Sequence, residues 1–468
     1  MRILIIKCRA SVAYDKVVVP PLGALYLSSF LKGAGYSEVR VAHLDALGMT
    51  EKDLRGLLLD YRPDVVGLSA ITAEGRSMHL AAAEVRKSLP GALVVAGGPH
   101  ATGYARDCLS DLNIDVAVLG EGELTFLEIL RNLEAGKSQQ GVPGTAVRAG
   151  QNIFFGPERG FIEDLDSLPM PDWDAVGLLS YAGFVPQAPV HFGTPYATVL
   201  TSRGCPFHCI FCHNVHGKKF RPHGAARVLT ELEALRSRYG LTDIEIIDDI
   251  FNWDRGRTLE IMNGIAAKLP GTRLYLANGI RADILDRESI DLFSRAGVVF
   301  LCAGVETATP ERQASTKKSI NLPKLRLMLD YCVEKKIFTH ALFMIGFPGE
   351  TLREVLRTLW FACRLKAHTA LFSFACAYQG SEMGDTLPDR TRLVNSDNDM
   401  SSAMSARNFV NCSPISSWKL VLLRRAANTA FFLNPARLYR LWRDLPGRNP
   451  ALVRLMLKKF LTRTLVLR

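Results

Sequence analysis

The sequence lacks any uninterrupted apolar run that approaches the roughly 18 residues of a membrane-spanning helix. Its apolar start is short and ends at Ile6, before Lys7 and Arg9, so a signal peptide is not expected. The ten cysteines show no paired spacing of the kind that builds a disulfide framework. These absences predict a cytoplasmic protein, and contact with the inner face of a membrane stays open.

The first 140 residues also lack the glycine motifs of nucleotide-phosphate sites. Neither G-x-G-x-x-G nor a P-loop follows the first apolar run, where residues 7–10 read Lys-Cys-Arg-Ala. Five short apolar runs, at 1–6, 38–42, 65–69, 93–96 and 116–119, alternate with helical stretches. Continuous apolar strands are typical of a parallel sheet buried on both faces. The pattern predicts an α/β domain over residues 1–140, doubly wound in the flavodoxin-like manner.

Ligands of such sheets bind beyond the carboxyl ends of the strands. The four loops expected there are small, rich in glycine and poor in lysine. Their candidate ligand-binding residues are Pro21, Leu22, Gly23, Ser69, Thr72, Gly97, Gly98, His100, Gly120, Glu121 and Gly122. A connector is predicted next, over residues 141–190, because its proline density excludes a long helix and favours an extended segment.

Three cysteines share one short loop directly after an apolar run at 196–201. Cys205, Cys209 and Cys212 have the spacing C-x3-C-x2-C. Three thiolates on one loop can hold three irons of a four-iron cluster and leave the fourth iron open to a ligand. The alternative is a structural zinc ion, for which His208, His213 or His216 would supply the fourth ligand. The seven remaining cysteines are scattered singly and are typical of buried thiols.

After the cysteine loop, strand-like and helix-like segments alternate. Apolar runs at 244–248, 274–278, 299–304, 339–345 and 371–376 are separated by helical segments at 226–238, 257–268, 287–295, 323–335 and 351–365. Six βα units predict a partial, open (β/α)6 barrel over residues 191–385. Working residues of such barrels lie at the carboxyl ends of the strands. That edge would carry the cysteine loop, Asp248, Asp249, Asn278, Arg281, Glu306, Gly346 and Gln379.

These residues resemble the radical S-adenosylmethionine superfamily, whose loop is C-x3-C-x-aromatic-C, here with Phe211 as the aromatic. The resemblance implies that S-adenosylmethionine binds the open iron and is cleaved to a 5'-deoxyadenosyl radical, with Phe211 near the adenine. It further implies that Asp248 or Asp249 contacts the methionine ammonium, Glu306 the ribose or methionine, and Gly346 the adenine. Arg281 is then a candidate for the methionine carboxylate, and Asn278 is placed with this group. For each of these residues, a purely structural role as a helix cap or in a surface ion pair stays open.

The glycine-rich loops of residues 1–140 resemble the cobalamin-binding domain that precedes many radical S-adenosylmethionine domains. One departure is that D-x-H-x-x-G is absent, since neither His43 nor His100 stands in that motif. The resemblance therefore implies a cobalt that histidine does not ligate. A degenerate domain without a corrinoid stays open, and His100 is either a contact of the cobalamin side chains or a satisfied loop histidine.

The two resemblances together imply a cobalamin-dependent radical S-adenosylmethionine enzyme. Its expected cofactors are a [4Fe–4S] cluster, S-adenosylmethionine and cobalamin, and its expected electron donor is a flavodoxin or ferredoxin. Methyl transfer to an unactivated carbon is the leading activity. Cyclisation, rearrangement or carbon–carbon coupling without net methyl transfer is the first alternative, and a non-catalytic metal- and corrinoid-binding sensor is the second.

Positive charge is concentrated at the end of the chain. The formal net charge is +11, and residues 419–468 contain 12 Lys or Arg against one acid, Asp444. This mainly helical region, predicted over 386–468, also has an apolar face at Leu452, Leu455, Met456 and Phe460. Basic residues beside an apolar face suit an anionic membrane surface, an acidic carrier protein with a tethered substrate, or a helical cap on the barrel. The substrate class is accordingly a small molecule, a lipid or a carrier-bound group, and no nucleic-acid module accompanies the charge.

Overall fold

The computed structural model describes residues 1–10, 17–188, 190, 194–212, 215–394 and 409–445. The chain forms two compact units. The first contains residues 1–184 together with 215–217, and the second contains the described residues of 185–212, 218–394 and 409–445.

The first unit is built on a parallel sheet with strand order 2-1-3-4-5. Its strands are β1 (Ile3–Lys7), β2 (Val39–His43), β3 (Val65–Ser69), β4 (Leu93–Gly97) and β5 (Val116–Val118). The alternation of side chains along β1 places Leu4 and Ile6 in one buried cluster and Ile3 and Ile5 in the other. Both faces of the sheet are covered, so the prediction of a doubly wound, flavodoxin-like domain is confirmed.

Helices lie on both faces of this sheet. Their bounds are α1 (Leu22–Gly33), α2 (Leu44–Leu47), α3 (Leu54–Tyr61), α4 (Gly75–Ser88), α5 (Gly98–Gly103), α6 (Ala105–Ser110) and α7 (Glu123–Glu134). A hairpin of β6 (Thr145–Ala149) and β7 (Asn152–Phe155) extends the sheet antiparallel to β5. This hairpin lies within the predicted proline-rich connector of residues 141–190, where the sequence indicated no strand.

The second unit contains six parallel strands in sequential order. They are β8 (Tyr196–Val199), β11 (Asp243–Ile246), β12 (Arg273–Ile280), β13 (Val298–Glu306), β14 (Phe338–Ile345) and β15 (Thr369–Phe374). Two short pairs accompany them, β9 (Ser202–Arg203) with β10 (Arg221–Pro222) and β16 (Ala377–Tyr378) with β17 (Leu393–Val394). The predicted partial (β/α)6 barrel is thereby confirmed.

The connecting helices of the second unit follow the predicted segments closely. They are α8 (Ala225–Tyr239), α9 (Arg255–Lys268), α10 (Arg287–Arg295), α11 (Pro310–Ser315), α12 (Leu322–Glu334), α13 (Leu352–Arg364) and α14 (Glu382–Asp385). One buried cluster joins Ala188 and Val190 to side chains of β12, β13 and β14 and to Leu445. Tyr275 belongs to this cluster and donates to Asp243 Oδ1 at 2.7 Å, so it is a core residue.

Two further helices, α15 (Ser417–Phe432) and α16 (Pro435–Asp444), complete the described part of the second unit. Arg437 is fully buried there and donates to the carbonyls of Cys363, Leu365, Ala367 and Phe431. Burial lowers its pKa to about 10. Part of the basic charge predicted for this region is therefore internal to the fold.

The predicted amphipathic stretch at Leu452, Leu455, Met456 and Phe460 lies outside the described residues. Within them, no helix combines the length and the apolar character that crossing a bilayer requires.

Candidate functional site

The cysteine loop begins at a buried carboxylate. Asp248 follows β11 and is fully buried. Its oxygens accept from the Thr201 backbone N–H, the Thr201 hydroxyl and the Ser202 hydroxyl, each at 2.6 Å. The adjacent Asp249 accepts from the Gly204 backbone N–H at 3.0 Å. The Asp248–Asp249 pair, predicted to contact the methionine ammonium, thus holds the chain that leads into Cys205.

The carboxyl end of β12 completes this edge of the barrel. Asn278 is exposed and donates from Nδ2 to the Asp248 carbonyl at 3.1 Å. Gly279 has a φ of +74°, and a Cβ there would lie 2.3 Å from the same carbonyl oxygen. The left-handed backbone and the close approach both require glycine. The ends of β11 and β12 are consequently fixed against each other beside the cysteine loop.

The three thiols of the loop form no disulfide and lie near one another. Cys205 and Cys209 are half-buried and Cys212 is exposed. Burial raises the pKa of Cys205 and of Cys209, and it raises that of Cys212 to about 11 even though much of this residue's surface is open. Charge repulsion from Cys209 adds to the raised pKa of Cys205, and repulsion from Cys209 and Cys205 adds to that of Cys212. A metal cluster would displace these protons, because only thiolates ligate.

As their side chains are placed in the structure, the three thiols are not all as close together as the ligands of a single zinc ion. A tetrahedral site with Zn–S bonds of about 2.3 Å brings its sulfurs to roughly 3.8 Å from one another. Among the described residues, the only trio of potential ligands that lie within 4.8 Å of one another is elsewhere, so at least one pair of the three sulfurs is more than 4.8 Å apart. Ligands of separate irons in a cluster need that wider spread. Of the histidines considered for zinc, His208 is exposed and His213 lies outside the described residues.

An ion pair stands beside Cys209. Lys318 donates to Glu306 Oε1 at 3.1 Å, and both side chains are mostly buried. Attraction to Glu306 and to Cys209 raises the pKa of Lys318 against the opposing effect of burial. Glu306 ends β13 with a φ of +62°, a strained backbone for a residue other than glycine. A Cβ on Gly304 would lie 2.5 Å from Glu306 Oε1, so glycine leaves room for this pair.

Arg281 is largely engaged by the protein itself. Its guanidinium binds both oxygens of Asp283, at 3.0 and 2.7 Å, and donates to the carbonyls of Lys318 and Ser319. It also lies 4.0 Å above the ring of Phe207 in the cysteine loop. These bonds use four of its five N–H groups, so its predicted contact with a methionine carboxylate would rest on the fifth. Arg281 joins the cysteine loop to the segment that bears Lys318.

A turn after β14 approaches the aromatic residue of the cysteine loop. Gly346 has a φ of +90°, and the rings of Phe347 and Phe211 lie 5.7 Å apart. Glu350 Oε2 accepts from the N–H groups of Gly346 and Phe347, at 2.5 and 3.0 Å. Glu350 is fully buried, which raises its pKa to about 7. The turn predicted to approach adenine is thus held by a carboxyl that the sequence did not single out.

The loops of the first unit meet at one edge of its sheet. Lys7, Ser69 and Gly97 stand level with one another across β1, β3 and β4. Gly97 has an extended backbone, and neither it nor Gly23 would bring a Cβ within 4 Å of another residue. Neither φ nor packing requires glycine at these two positions. Open space in front of both glycines fits the close approach of a large ligand such as a corrinoid.

Other predicted loop residues have structural partners. Glu121 accepts from the Ile162 N–H at 2.8 Å, and Gly120 donates its N–H to the Thr102 hydroxyl at 3.1 Å. Gly98 has a φ of +85°, and a Cβ there would lie 2.8 Å from the Ala70 carbonyl oxygen. The remaining predicted residues take these positions: Pro21 and Leu22 are buried at the start of α1, Thr72 is buried after β3, and Gly122 precedes α7.

The two histidines of the first unit that the sequence brought forward are both buried. His43 is buried, its Nδ1 lies 2.7 Å from the Tyr181 hydroxyl, and burial lowers its pKa to about 3. His100 is fully buried within α5.

Comparison with known proteins gives two family matches. The model of the B12 binding domain matches residues 9–130, and that of the Radical SAM superfamily matches residues 199–362. An uncharacterized methyltransferase from Pyrococcus horikoshii is 29% identical over 460 residues, 93% of each chain. The anaerobic magnesium-protoporphyrin IX monomethyl ester cyclase of Cereibacter sphaeroides is 28% identical over 354 residues, 73% of this chain and 56% of the cyclase.

Among solved structures, the fold is similar to that of the radical S-adenosylmethionine methyltransferase TsrM from Kitasatospora setae. The TM-score is 0.67 at 20% identity, over 83% of this chain and 75% of TsrM. The TsrM structure contains cobalamin and a [4Fe–4S] cluster. At this level of identity the likeness supports the fold.

Proposed function

We propose that this chain, which belongs to the radical S-adenosylmethionine enzymes that carry a B12-binding domain, transfers a methyl group to an unactivated carbon of its substrate. The observation that carries the proposal is the trio of cysteine thiols, none of them in a disulfide, at the carboxyl edge of the barrel. The glycine-lined edge of the first sheet supports it, since it leaves room for a corrinoid. Methyltransferases among the relatives favour methyl transfer.

The proposed cofactors supply the difficult chemistry. When bound, the cluster and S-adenosylmethionine supply radical chemistry that can activate a C–H bond, and cobalamin supplies a methyl group. Such a pair is needed because an sp3 carbon is neither acidic nor nucleophilic. Cys205, Cys209 and Cys212 would hold the cluster, and the glycine-rich loops of the first unit would hold the corrinoid.

The chain's own residues position these groups. Asp248 and Asp249 anchor the start of the cysteine loop through Thr201, Ser202 and Gly204. We propose that the Lys318–Glu306 pair offers S-adenosylmethionine a buried charge of each sign, suited to its polar methionine and ribose groups. Phe211, Gly346, Asn278 and the remaining donor of Arg281 complete the proposed pocket.

Anaerobic turnover tests the activity. The protein would be purified with cobalamin, reconstituted with iron and sulfide, and incubated with S-adenosylmethionine and host extract. A product heavier by one CH2 unit supports methyl transfer. A product whose carbon skeleton is unchanged or has lost hydrogen would instead favour cyclisation or rearrangement. The similarity to a cyclase supports that alternative.

Substitution of the cluster ligands separates an enzyme from a sensor. Cys209→Ala should abolish the four-iron absorption and the release of 5'-deoxyadenosine, because the cluster needs all three thiolate ligands of the loop. Cys332→Ala is the matched control, since Cys332 is a buried thiol of α12 outside the loop. If Cys209→Ala still releases the nucleoside, the proposed site is refuted, and absence of both signals in the wild type would favour a sensor.

We further propose that the second unit contacts an anionic membrane surface in the cytoplasm and takes a lipid-like substrate. Along α13, Leu352, Leu356 and Trp360 are exposed at helical spacing, and Arg353, Arg357 and Arg364 lie exposed among them. Helix α15, which packs against α13, exposes Trp418 and Lys419. Aromatic and leucine side chains beside basic residues suit lipid headgroups of negative charge.

Vesicle flotation tests this contact. Vesicles with phosphatidylglycerol should bind the protein, and pure phosphatidylcholine should bind it at least about tenfold less, because each basic residue near an anionic surface contributes about 1 kcal/mol. Trp360→Ser should weaken binding, while Leu112→Ser, at an exposed position of the first unit, should not. Equal binding to both lipids, or binding only to an acidic carrier protein, would overturn the membrane proposal.

A further inference from the structure

One buried histidine of the first unit has an imidazole ring with no hydrogen-bond partner among the described residues. His100 lies in α5 with none of its surface exposed, and among the described residues neither Nδ1 nor Nε2 has a partner. An unpaired buried polar atom costs about 1–3 kcal/mol, so each such atom in a native protein calls for an explanation. The ring is stacked on Tyr104 at 5.2 Å, which fixes its plane.

Two further ligand-type side chains face this ring. Asp107 of α6 has Oδ2 3.9 Å from His100 Nε2 and 4.0 Å from the Nε2 of His79, a residue of α4. One potential ligand atom from each of the three lies within 4.8 Å of the others, a grouping found nowhere else in the described parts of the chain. Three helices therefore bring two imidazoles and a carboxylate to one point.

We propose that His79, His100 and Asp107 bind a Zn²⁺ ion, distinct from the cluster and the corrinoid. Bonds of about 2.0 Å in a tetrahedral site place ligand atoms roughly 3.3 Å apart. The separations of 3.9 and 4.0 Å from Asp107, and the one between the imidazoles, which is within 4.8 Å, therefore close by less than about 1.5 Å when the side chains turn toward a metal. A water molecule would be the fourth ligand.

The surroundings of the trio favour zinc. Asp111 Oδ2 lies 2.9 Å from His79 Nδ1, so that nitrogen carries the proton and Nε2 is left to ligate, as in the carboxylate–histidine–zinc arrangement. Burial lowers the pKa of His100 to about 4, which keeps its imidazole neutral near pH 7. Two nitrogens and one oxygen suit Zn²⁺ better than Mg²⁺ or Ca²⁺, which take oxygen ligands.

The position of the site indicates a structural role. It joins α4 to α5 and α6 on one face of the first sheet, where Cys108 of α6 and Met78 of α4 belong to the same buried cluster. A metal bound only by the folded state stabilises it by mass action. We expect Zn²⁺ to raise the melting temperature of the first unit.

Zinc binding would be measured on the full chain with its iron cluster assembled, because an empty cysteine loop would itself take zinc. After dialysis against a chelator, titration with Zn²⁺ alone should show one site, and X-ray absorption at the zinc edge should show nitrogen and oxygen ligands without sulfur. Asp107→Ala should weaken binding by more than about 100-fold, and Asp111→Asn by roughly 10- to 100-fold, as for outer partners of metal ligands.

Asp60→Ala is the control, since Asp60 is a more exposed carboxylate of the same unit and should leave zinc affinity unchanged. Because Asp107 is itself 44% exposed, Asp107→Ala is expected to fold, and circular dichroism would verify it. The proposal is overturned if the wild type binds no zinc, if sulfur ligates it, or if Asp107→Ala binds equally. The proposal would also be overturned if the protein no longer bound zinc after it was loaded with cobalamin, because His100 would then belong to the corrinoid site.

Discussion

Glu350 should make the protein less stable as the pH rises. Its carboxyl is fully buried, Oε2 accepts from Gly346 and Phe347, and Oε1 has no partner among the described residues. Burial raises its pKa from 4.5 to about 7. Below the lower value the group is protonated in both the folded and the unfolded states. Above it the unfolded state releases its proton first, so stability falls until the pH passes the folded-state pKa.

The size of this effect follows from the two pKa values. The free energy of unfolding falls by about 1.4 kcal/mol per pH unit between them. From about pH 5.5 to about pH 8, ionisation of Glu350 costs ~2 kcal/mol. Glu350→Gln keeps an oxygen for the two N–H groups and removes the titration. Between these two pH values, the free energy of unfolding of wild type should therefore fall by ~2 kcal/mol more than that of Glu350→Gln, since all other titrating groups are common to both proteins.

Urea unfolding of the cluster-free protein, followed by tryptophan fluorescence at both pH values, measures this difference. Asp286→Asn is the matched control, because Asp286 is bound by Arg255 and its pKa is lowered. That carboxyl is ionised in both states over the tested range, so its loss should shift stability equally at both pH values. The reasoning is refuted if Glu350→Gln shows the same pH dependence as wild type.

Two further predictions concern the site and the fold. Gly304→Ala would push the Glu306 carboxylate out of its place. Calorimetry should then show at least about tenfold weaker binding of S-adenosylmethionine, as for the loss of one charge-assisted contact, with little loss of stability. The control Gly91→Ala places its methyl group in open space and should leave binding unaltered. Arg437→Met would leave buried carbonyls unpaired and should lower the free energy of unfolding by about 3 kcal/mol or more. Arg443→Met, at a more exposed position, should lower it only slightly. If both substitutions have a small effect in chemical unfolding, the structural role of Arg437 is contradicted.

The strands were predictable because their signal is local. Buried parallel strands are nearly continuous apolar runs, and those at residues 3–7, 65–69 and 93–97 are examples. The hairpin of residues 145–155 was not predicted, since three of the four strand residues at 152–155 are exposed and carry no alternating pattern that requires a sheet. Its pairing with β5 is a long-range contact, which local composition does not encode.

The roles of the site residues were harder to predict, because a residue's type does not reveal its partner. Sequence placed Asp248 and Arg281 at the correct edge of the barrel. It did not reveal that Asp248 accepts three hydrogen bonds from Thr201 and Ser202, or that Arg281 binds Asp283. Both use most of their hydrogen-bonding capacity within the protein. Their proposed part in catalysis is therefore to position the cysteine loop.

Lys318 illustrates what a sequence pattern leaves out. It lies in a polar stretch after α11 with no motif around it, and yet it pairs with Glu306 beside Cys209. A mostly buried lysine retains its charge only when anions surround it. The carboxylate of Glu306 is one such anion, and cluster thiolates are others. The positive charge at this position is therefore consistent with the proposed cluster, whose thiolates would add negative charge to that of Glu306.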